Sequence, residues 1–145
     1  MQDLYQEIIL DHYKHQRGRG LSDEFTGSAH HVNPTCGDEV TVRVNAVDPQ
    51  HVRLSYEGQG CSISQASASV MFEQLNEASS DELRAVFENF RELMHSKGQG
   101  TPDEEVLGDG VAFAGVAQYP ARVKCALLPW MAMMDALEQS QEGQK

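Results

Sequence analysis

The sequence predicts an α+β fold: one domain over residues 1–145, with a small antiparallel sheet of about three strands packed against several helices. Two observations carry this. Valine-rich segments alternate with period two around an Asp48-Pro49 turn, and apolar residues recur at helical spacing before and after them. No internal repeat or low-complexity tract interrupts the order helix, strands, helices.

The elements follow in chain order. Asp3 is placed as an N-cap, with Leu4, Ile8 and His12 on one helical face and Tyr5 and Ile9 beside them. Arg17-Gly18-Arg19-Gly20 should end this helix near Gln16, and residues 18–28 read as a polar surface loop. Val40, Val42 and Val44 alternate with Thr41 and Arg43, and Val52, Leu54 and Tyr56 with Arg53 and Ser55. The two runs predict a hairpin with one apolar face, and Ala29 to Asn33 offers a third strand. From Ser62 the pattern turns helical, with Ile63, Ala66, Val70, Phe72 and Leu75 as the buried stripe. Small residues (Ser62, Ser64, Ala66, Ser67, Ala68, Ser69) fill its first turns and would let a backbone or a ligand come close. Ser79 and Glu82 form a capping box for a helix that buries Leu83, Val86, Phe87, Phe90 and Leu93. Lys97 to Gly110 should be exposed, with one short helical turn capped within Thr101-Pro102-Asp103-Glu104. The last helix should run from about Pro120 to Glu138, with Val123, Leu127, Trp130, Met131, Met134 and Leu137 inward. Pro129 cannot donate to the carbonyl of Cys125, which predicts a local bend.

Composition narrows the function classes. At 40% hydrophobic and 23% charged, the chain has the make-up of a water-soluble globular protein. A formal net charge of −11 argues against nonspecific nucleic-acid binding, which needs a basic face. It leaves open a protein partner with a basic patch. The first residues lack the basic and apolar regions of a secretory signal, and no apolar run is long enough for a bilayer. A cytoplasmic protein with reduced thiols and no membrane association is expected.

Three cysteines then stand out, each in a distinct short segment: Asn33-Pro34-Thr35-Cys36-Gly37-Asp38, Gly58-Gln59-Gly60-Cys61-Ser62-Ile63-Ser64, and Pro120-Ala121-Arg122-Val123-Lys124-Cys125. An odd number speaks against a closed disulfide framework. Three unrelated buried thiols are the plain alternative. The flanking residues favour a site. Cys36 lies in a tight turn, Cys61 at a helix start where amides favour a thiolate, and Cys125 near Arg122 and Lys124. Asp38 would complete a tetrahedral set for zinc. Three thiolates and a carboxylate overcompensate the charge of zinc, and Arg122 is the candidate to offset the excess. No Cys-x-x-Cys pair is present, so the ligands would have to be assembled by the fold. A Cys–His hydrolase is the further alternative, but no histidine stands in a recognisable signature.

Taken together, the three cysteine segments and the Asp11-His12-Tyr13-Lys14 stretch resemble the iron–sulfur cluster assembly proteins of the IscU/NifU-N family, and more closely its SufU branch. IscU-type scaffolds carry histidine just before the third cysteine, where this chain has Lys124, and lysine where it has Arg122. The stretch between Cys61 and Cys125 is also longer than in IscU, as in SufU, and Lys97 to Gly110 is placed as the insertion. Gln16 departs from the proline usual in the family, which bears on the shape of the first loop.

The resemblance implies a zinc protein with Cys36, Asp38, Cys61 and Cys125 as ligands. It implies a sulfurtransferase activity: a SufS-type cysteine desulfurase hands persulfide sulfur to Cys36, which a histidine of the desulfurase frees from the metal. A downstream iron–sulfur scaffold would receive the sulfur, and the desulfurase would dock around Cys36 and the first helix. Two alternatives remain, a scaffold for a [2Fe–2S] cluster held by the same residues and a purely structural zinc module. The histidines at 12, 15, 30, 31, 51 and 95 are expected at the surface, with His30 and His31 as spare ligands nearest Cys36.

Overall fold

A computed structural model describes residues 2–142, with side chains from Leu4 onward. It has five α-helices and one three-stranded antiparallel sheet, joined in the order α1 (Gln2–Lys14), β1 (Gly27–Asn33), β2 (Asp38–Asn45), β3 (Arg53–Gln59), α2 (Ser62–Leu75), α3 (Ser80–Met94), α4 (Glu104–Leu107), a 3-10 segment (Gly108–Gln118) and α5 (Pro120–Glu142). Helix α1 already includes Asp3, so this residue lies inside the first turn and is not the cap.

The sheet is ordered β1-β2-β3. Its register pairs Ala29 with Val42, Val42 with Tyr56, and Val44 with Leu54, which puts these apolar side chains on one face. Helix α5 packs against β1 and β2. Asn33 pairs with Asp38 at the end of the β1–β2 ladder. By alternation both belong to the same inward face, and both are buried.

Helix α2 is the central helix, in contact with both α1 and α5. Every residue from Ser64 to Met71 is buried, so the inside of α2 is much wider than an apolar stripe. Its serines let neighbouring backbones approach. Ser67 Oγ donates to the Ala126 carbonyl at 2.6 Å and accepts from Trp130 Nε1 at 2.9 Å. Ser69 Oγ accepts the Arg17 amide at 2.9 Å. Ile63 and Phe72, expected inside, are only partly buried.

Helix α3 opens as its cap predicts, with Ser79 Oγ accepting the Glu82 amide at 3.1 Å. Its Phe90 stacks on Trp130 of α5, with ring centroids 4.3 Å apart, and meets Phe113 edge-on at 5.8 Å. Phe113 lies in the 3-10 segment, whose apolar Val111, Ala112, Val116 and Ala117 are also buried. The expectation of an exposed stretch up to Gly110 therefore fails at its end, where Leu107 and Gly110 are buried as the chain turns into this segment.

Two inward stripes need correction. On α1 the residues that reach the interior are Tyr5, Ile9 and His12, while Leu4 is exposed. On α5 Met131 is exposed and Met134 only half-buried, whereas Met133 is fully buried. Helix α5 continues through Pro129 to Glu142. Among the described residues no helix is long and apolar enough to cross a membrane.

Candidate metal centre

The β1–β2 turn, the start of α2 and the first turns of α5 meet at one end of the sheet. Cys36 sits in the turn, exposed, with its amide bonded to the Asn33 carbonyl at 3.2 Å. Asp38 begins β2 and is almost fully buried. Cys61 is the N-cap residue of α2 and half-buried. Cys125 lies in α5, one turn after Ala121, and is buried.

Donor atoms of Cys36, Asp38 and Cys125 all lie within 4.8 Å of one another. The sulfurs of Cys36 and Cys125 are 3.4 Å apart. Cys61 enters through Asp38: its Sγ is 3.7 Å from Asp38 Oδ2, and its amide donates to Asp38 Oδ1 at 2.8 Å. Asp38 is thus the hub, with one oxygen fixed by the end of α2 and the other facing sulfur. Of the residues that the sequence singled out, Cys36, Asp38 and Cys125 form one donor group, Cys61 touches it through Asp38, and Arg122 lies outside it.

Gly60 is what permits the hub. It has φ +147°, and a Cβ there would collide with the Asp38 carboxylate and crowd its Cα. Asn33 and Ser64 also contribute, and neither was among the expected site residues. The Asn33 amide donates to Cys125 Sγ at 3.7 Å, and Ser64 Oγ lies 3.8 Å from Cys61 Sγ. A signal existed for both: Asn33 opens the first cysteine segment, and Ser64 follows Cys61 by one helical turn.

The electrostatics run against one expectation. Arg122 and Lys124 were expected to favour the Cys125 thiolate. Burial instead pushes the Cys125 thiol far above its usual range, and Asp38, Cys36 and Cys61 push it the same way. The Arg122 guanidinium lies 5.1 Å over the Tyr119 ring and lines a cavity with Tyr5, Ile9 and Val116. Among the described residues Arg122 makes no ion pair with Asp38. The reason is where the side chain goes: Arg122, one turn before Cys125, is exposed and lies over the Tyr119 ring instead of reaching the buried donors.

Acidic donors packed around a buried thiol, with no cation in direct contact among the described residues, form a set that a metal ion would neutralise. Three sulfurs and one carboxylate oxygen suit tetrahedral zinc. The same thiolates suit an iron–sulfur cluster.

A second group was not foreseen. His12 was expected at the surface but is fully buried. Its Nδ1 is 2.8 Å from Ser69 Oγ, its Nε2 is 2.8 Å from Asp109 Oδ2, and Glu73 Oε1 lies 3.9 Å away. Arg17 pairs with Glu73 at 3.1 Å. Both ring nitrogens have partners, so the cluster ties α1, α2 and the 3-10 segment together. His30 bonds Thr41 and His31 bonds Asp135, and neither belongs to the cysteine group.

Residues 4–126 match the NifU-like N-terminal domain. The chain is 35% identical over 141 residues to the zinc-dependent sulfurtransferase SufU of Bacillus subtilis, covering 97% of this chain and 93% of the relative. It is 33% identical to the iron–sulfur cluster assembly scaffold protein IscU of Streptococcus pyogenes, over 97% of this chain and 87% of the relative. Among solved structures it is similar to a putative iron–sulfur cluster assembly scaffold protein for the SUF system from Fervidobacterium islandicum, with TM-score 0.80, 36% identity, and coverage of 90% and 94%. A NifU-like protein (N-terminal) from Brucella abortus superposes with TM-score 0.86 at 30% identity, covering 97% and 96%.

Proposed function

The chain belongs to the NifU-like N-terminal domain family, and from that premise we propose that it serves iron–sulfur cluster assembly as a zinc-dependent sulfur acceptor. Its sulfur source is the persulfide of a SufS-type cysteine desulfurase, which it activates by unloading it. The observation that carries this reading is the unequal placement of the clustered donors. Cys36 is exposed in a glycine-containing turn, while Asp38 and Cys125 are buried on a strand and a helix.

Cys36, Asp38, Cys61 and Cys125 would hold the metal. Zinc, when bound, keeps thiols deprotonated at neutral pH. Asp38 is positioned by the Cys61 amide, and Cys125 by the Asn33 amide. Asp38 and Cys125 rest on a strand and a helix, Cys61 sits at the start of α2, and all three stay in place. Cys36 is the one that swings out: its thiolate attacks the outer sulfur of the desulfurase persulfide, the new bond forms on Cys36 Sγ, and the desulfurase thiolate leaves. A downstream iron–sulfur scaffold then takes the sulfur. The Bacillus subtilis relative, by its name, supports zinc and sulfur transfer. Arg122 acts on the charge of the site only at longer range.

A second reading has a specific observation in its favour, since other relatives bear the name of a scaffold. On that reading the same residues carry a [2Fe–2S] cluster. Lys124 in the place of the scaffold histidine counts against it, because an ammonium is no ligand while protonated. The test mixes the protein with a cysteine desulfurase, cysteine and a reductant, and follows alanine production and the protein's mass. Acceleration with one added sulfur on Cys36, both lost in Cys36→Ala, is the expected result. Acceleration that survives in that variant overturns the acceptor role, and protein isolated with iron and sulfide in place of zinc favours the scaffold.

A further inference from the structure

The Cys36 and Cys125 sulfurs are in van der Waals contact at 3.4 Å. Two thiolates sharing one tetrahedral zinc would lie about 3.8 Å apart, so metal ligation already brings this pair together, and without metal their contact has a chemical consequence for a sulfur carrier. We propose that Cys125 is a resolving thiol: when Cys36 carries a persulfide and Cys125 is free of metal, Cys125 expels the outer sulfur as hydrosulfide. The proposal rests on the reading of Cys36 as the sulfur acceptor and adds the fate of that sulfur.

The geometry suits a displacement at the inner sulfur. Cys125 Sγ is held on the inner side of Cys36 by the Asn33 amide at 3.7 Å and the Ala121 carbonyl at 3.6 Å. Cys36 is exposed, so its outer sulfur can point to solvent, opposite the attacking atom. Closing from 3.4 Å to a disulfide bond of about 2.0 Å needs a shift of about 1.4 Å. The Cys36 turn, exposed from Pro34 to Gly37, can supply it. Cys61 is less well placed, because its nearest polar contacts are Asp38 and Ser64.

The step balances without an outside oxidant. The Cys36–Cys125 bond forms and the bond between Cys36 Sγ and the outer sulfur breaks. The two cysteine sulfurs lose two electrons, which reduce the zero-valent sulfur to sulfide. Burial holds the Cys125 proton, so its loss to solvent through the exposed Cys36 turn is the slow part of the step. The departing sulfur takes a proton from solvent and leaves as hydrosulfide, a good leaving group. Cys125, if it held a metal, would have the attacking electron pair engaged in that bond. Whether Cys125 is free or held by a metal would therefore select between free sulfide and a retained, transferable persulfide.

The experiment loads the zinc-free protein anaerobically with inorganic polysulfide, removes the excess by rapid desalting, and follows intact mass, peptide maps and released sulfide. The expected result is one hydrosulfide per Cys36 persulfide and loss of two hydrogens at Cys36 and Cys125. Cys125→Ser and the zinc-loaded protein should keep the persulfide at least about tenfold longer. Thr35→Ala, an exposed neighbour in the Cys36 turn outside the donor set, should discharge like the parent, and circular dichroism checks that both variants are folded. Retention in the zinc-free parent, equal discharge in Cys125→Ser, failure of Cys36 to take up sulfur, or migration of the sulfur to Cys125 would each overturn the proposal. Polysulfide bypasses the desulfurase, so discharge here combined with no uptake from a desulfurase would sink only the acceptor reading.

Discussion

Gly60→Ala is the sharpest test of how the site is built. The residue has φ +147°, which an L side chain adopts only with strain of about 1–3 kcal/mol. The added Cβ would also meet the Asp38 carboxylate and Cα. Asp38 has little room to retreat, being buried and paired with Asn33 across the ladder. Its oxygen must therefore leave the Cys61 amide, now 2.8 Å away, and a hydrogen bond to a charged group contributes about 1.5–3 kcal/mol. The two terms sum to about 2.5–6 kcal/mol, against a total stability of about 5–15 kcal/mol for a domain. At about 3 °C per kcal/mol, the metal-free variant should melt about 8–18 °C lower. It should also surrender zinc faster to a chelator, because the hub carboxylate is displaced. Gly37→Ala is the control: its φ is +69° with nothing near the added Cβ, so only about 1–2 kcal/mol is lost. Thermal melts and chelator competition on both variants decide the matter. Equal losses in the two, or a Gly60→Ala protein with parental melting and zinc retention, would refute the assignment of Gly60 and Asp38.

Three further outcomes are expected. Ser67→Ala removes the partner of both Trp130 Nε1 and the Ala126 carbonyl, and should cost about 1–3 kcal/mol in urea unfolding. Asn33→Ala takes the amide donor away from Cys125 and should cost about 0.5–1.5 kcal/mol in urea unfolding, with slower alkylation of Cys125 in metal-free protein because its thiolate loses that donor. Burial pushes the Tyr56 phenol up to about 12, with its hydroxyl donating to the Arg17 carbonyl at 2.8 Å. Because the folded value is raised, this contribution is complete below pH about 10, where the unfolded chain begins to lose the proton, and is lost as pH rises to about 12. Ultraviolet titration should show one late phenol, and a Tyr56 that ionises together with exposed tyrosines would contradict its burial.

Much of this was legible before any coordinates. The hairpin followed from strict alternation at Val40, Val42 and Val44, since period two has one structural meaning when a turn separates two such runs. The Ser79 cap was legible because it is a local hydrogen bond. His12 was not, because a polar residue on an amphipathic helix is buried only when partners from distant segments await it. Those partners are Ser69 and Asp109, 57 and 97 residues away. The 3-10 segment escaped notice for a related reason: its apolar run takes its meaning from Phe90 and Trp130, which cover it.

The site divides along the same line. Sequence by itself determined which chemistry was on offer, since three thiols and Asp38 in short glycine- and proline-marked segments define a donor set wherever they meet. It also determined the local settings: Cys36 in a turn, Cys61 at a helix start, Cys125 inside a helix. Tertiary structure alone decided the rest. It made Asp38 the hub, buried Cys125 against Cys36, and turned Arg122 toward Tyr119. The physical reason is that residue type and local conformation are set within a few neighbours. The direction of a side chain on a helix, and the thiol acidity that burial imposes, depend on what the rest of the chain packs around it.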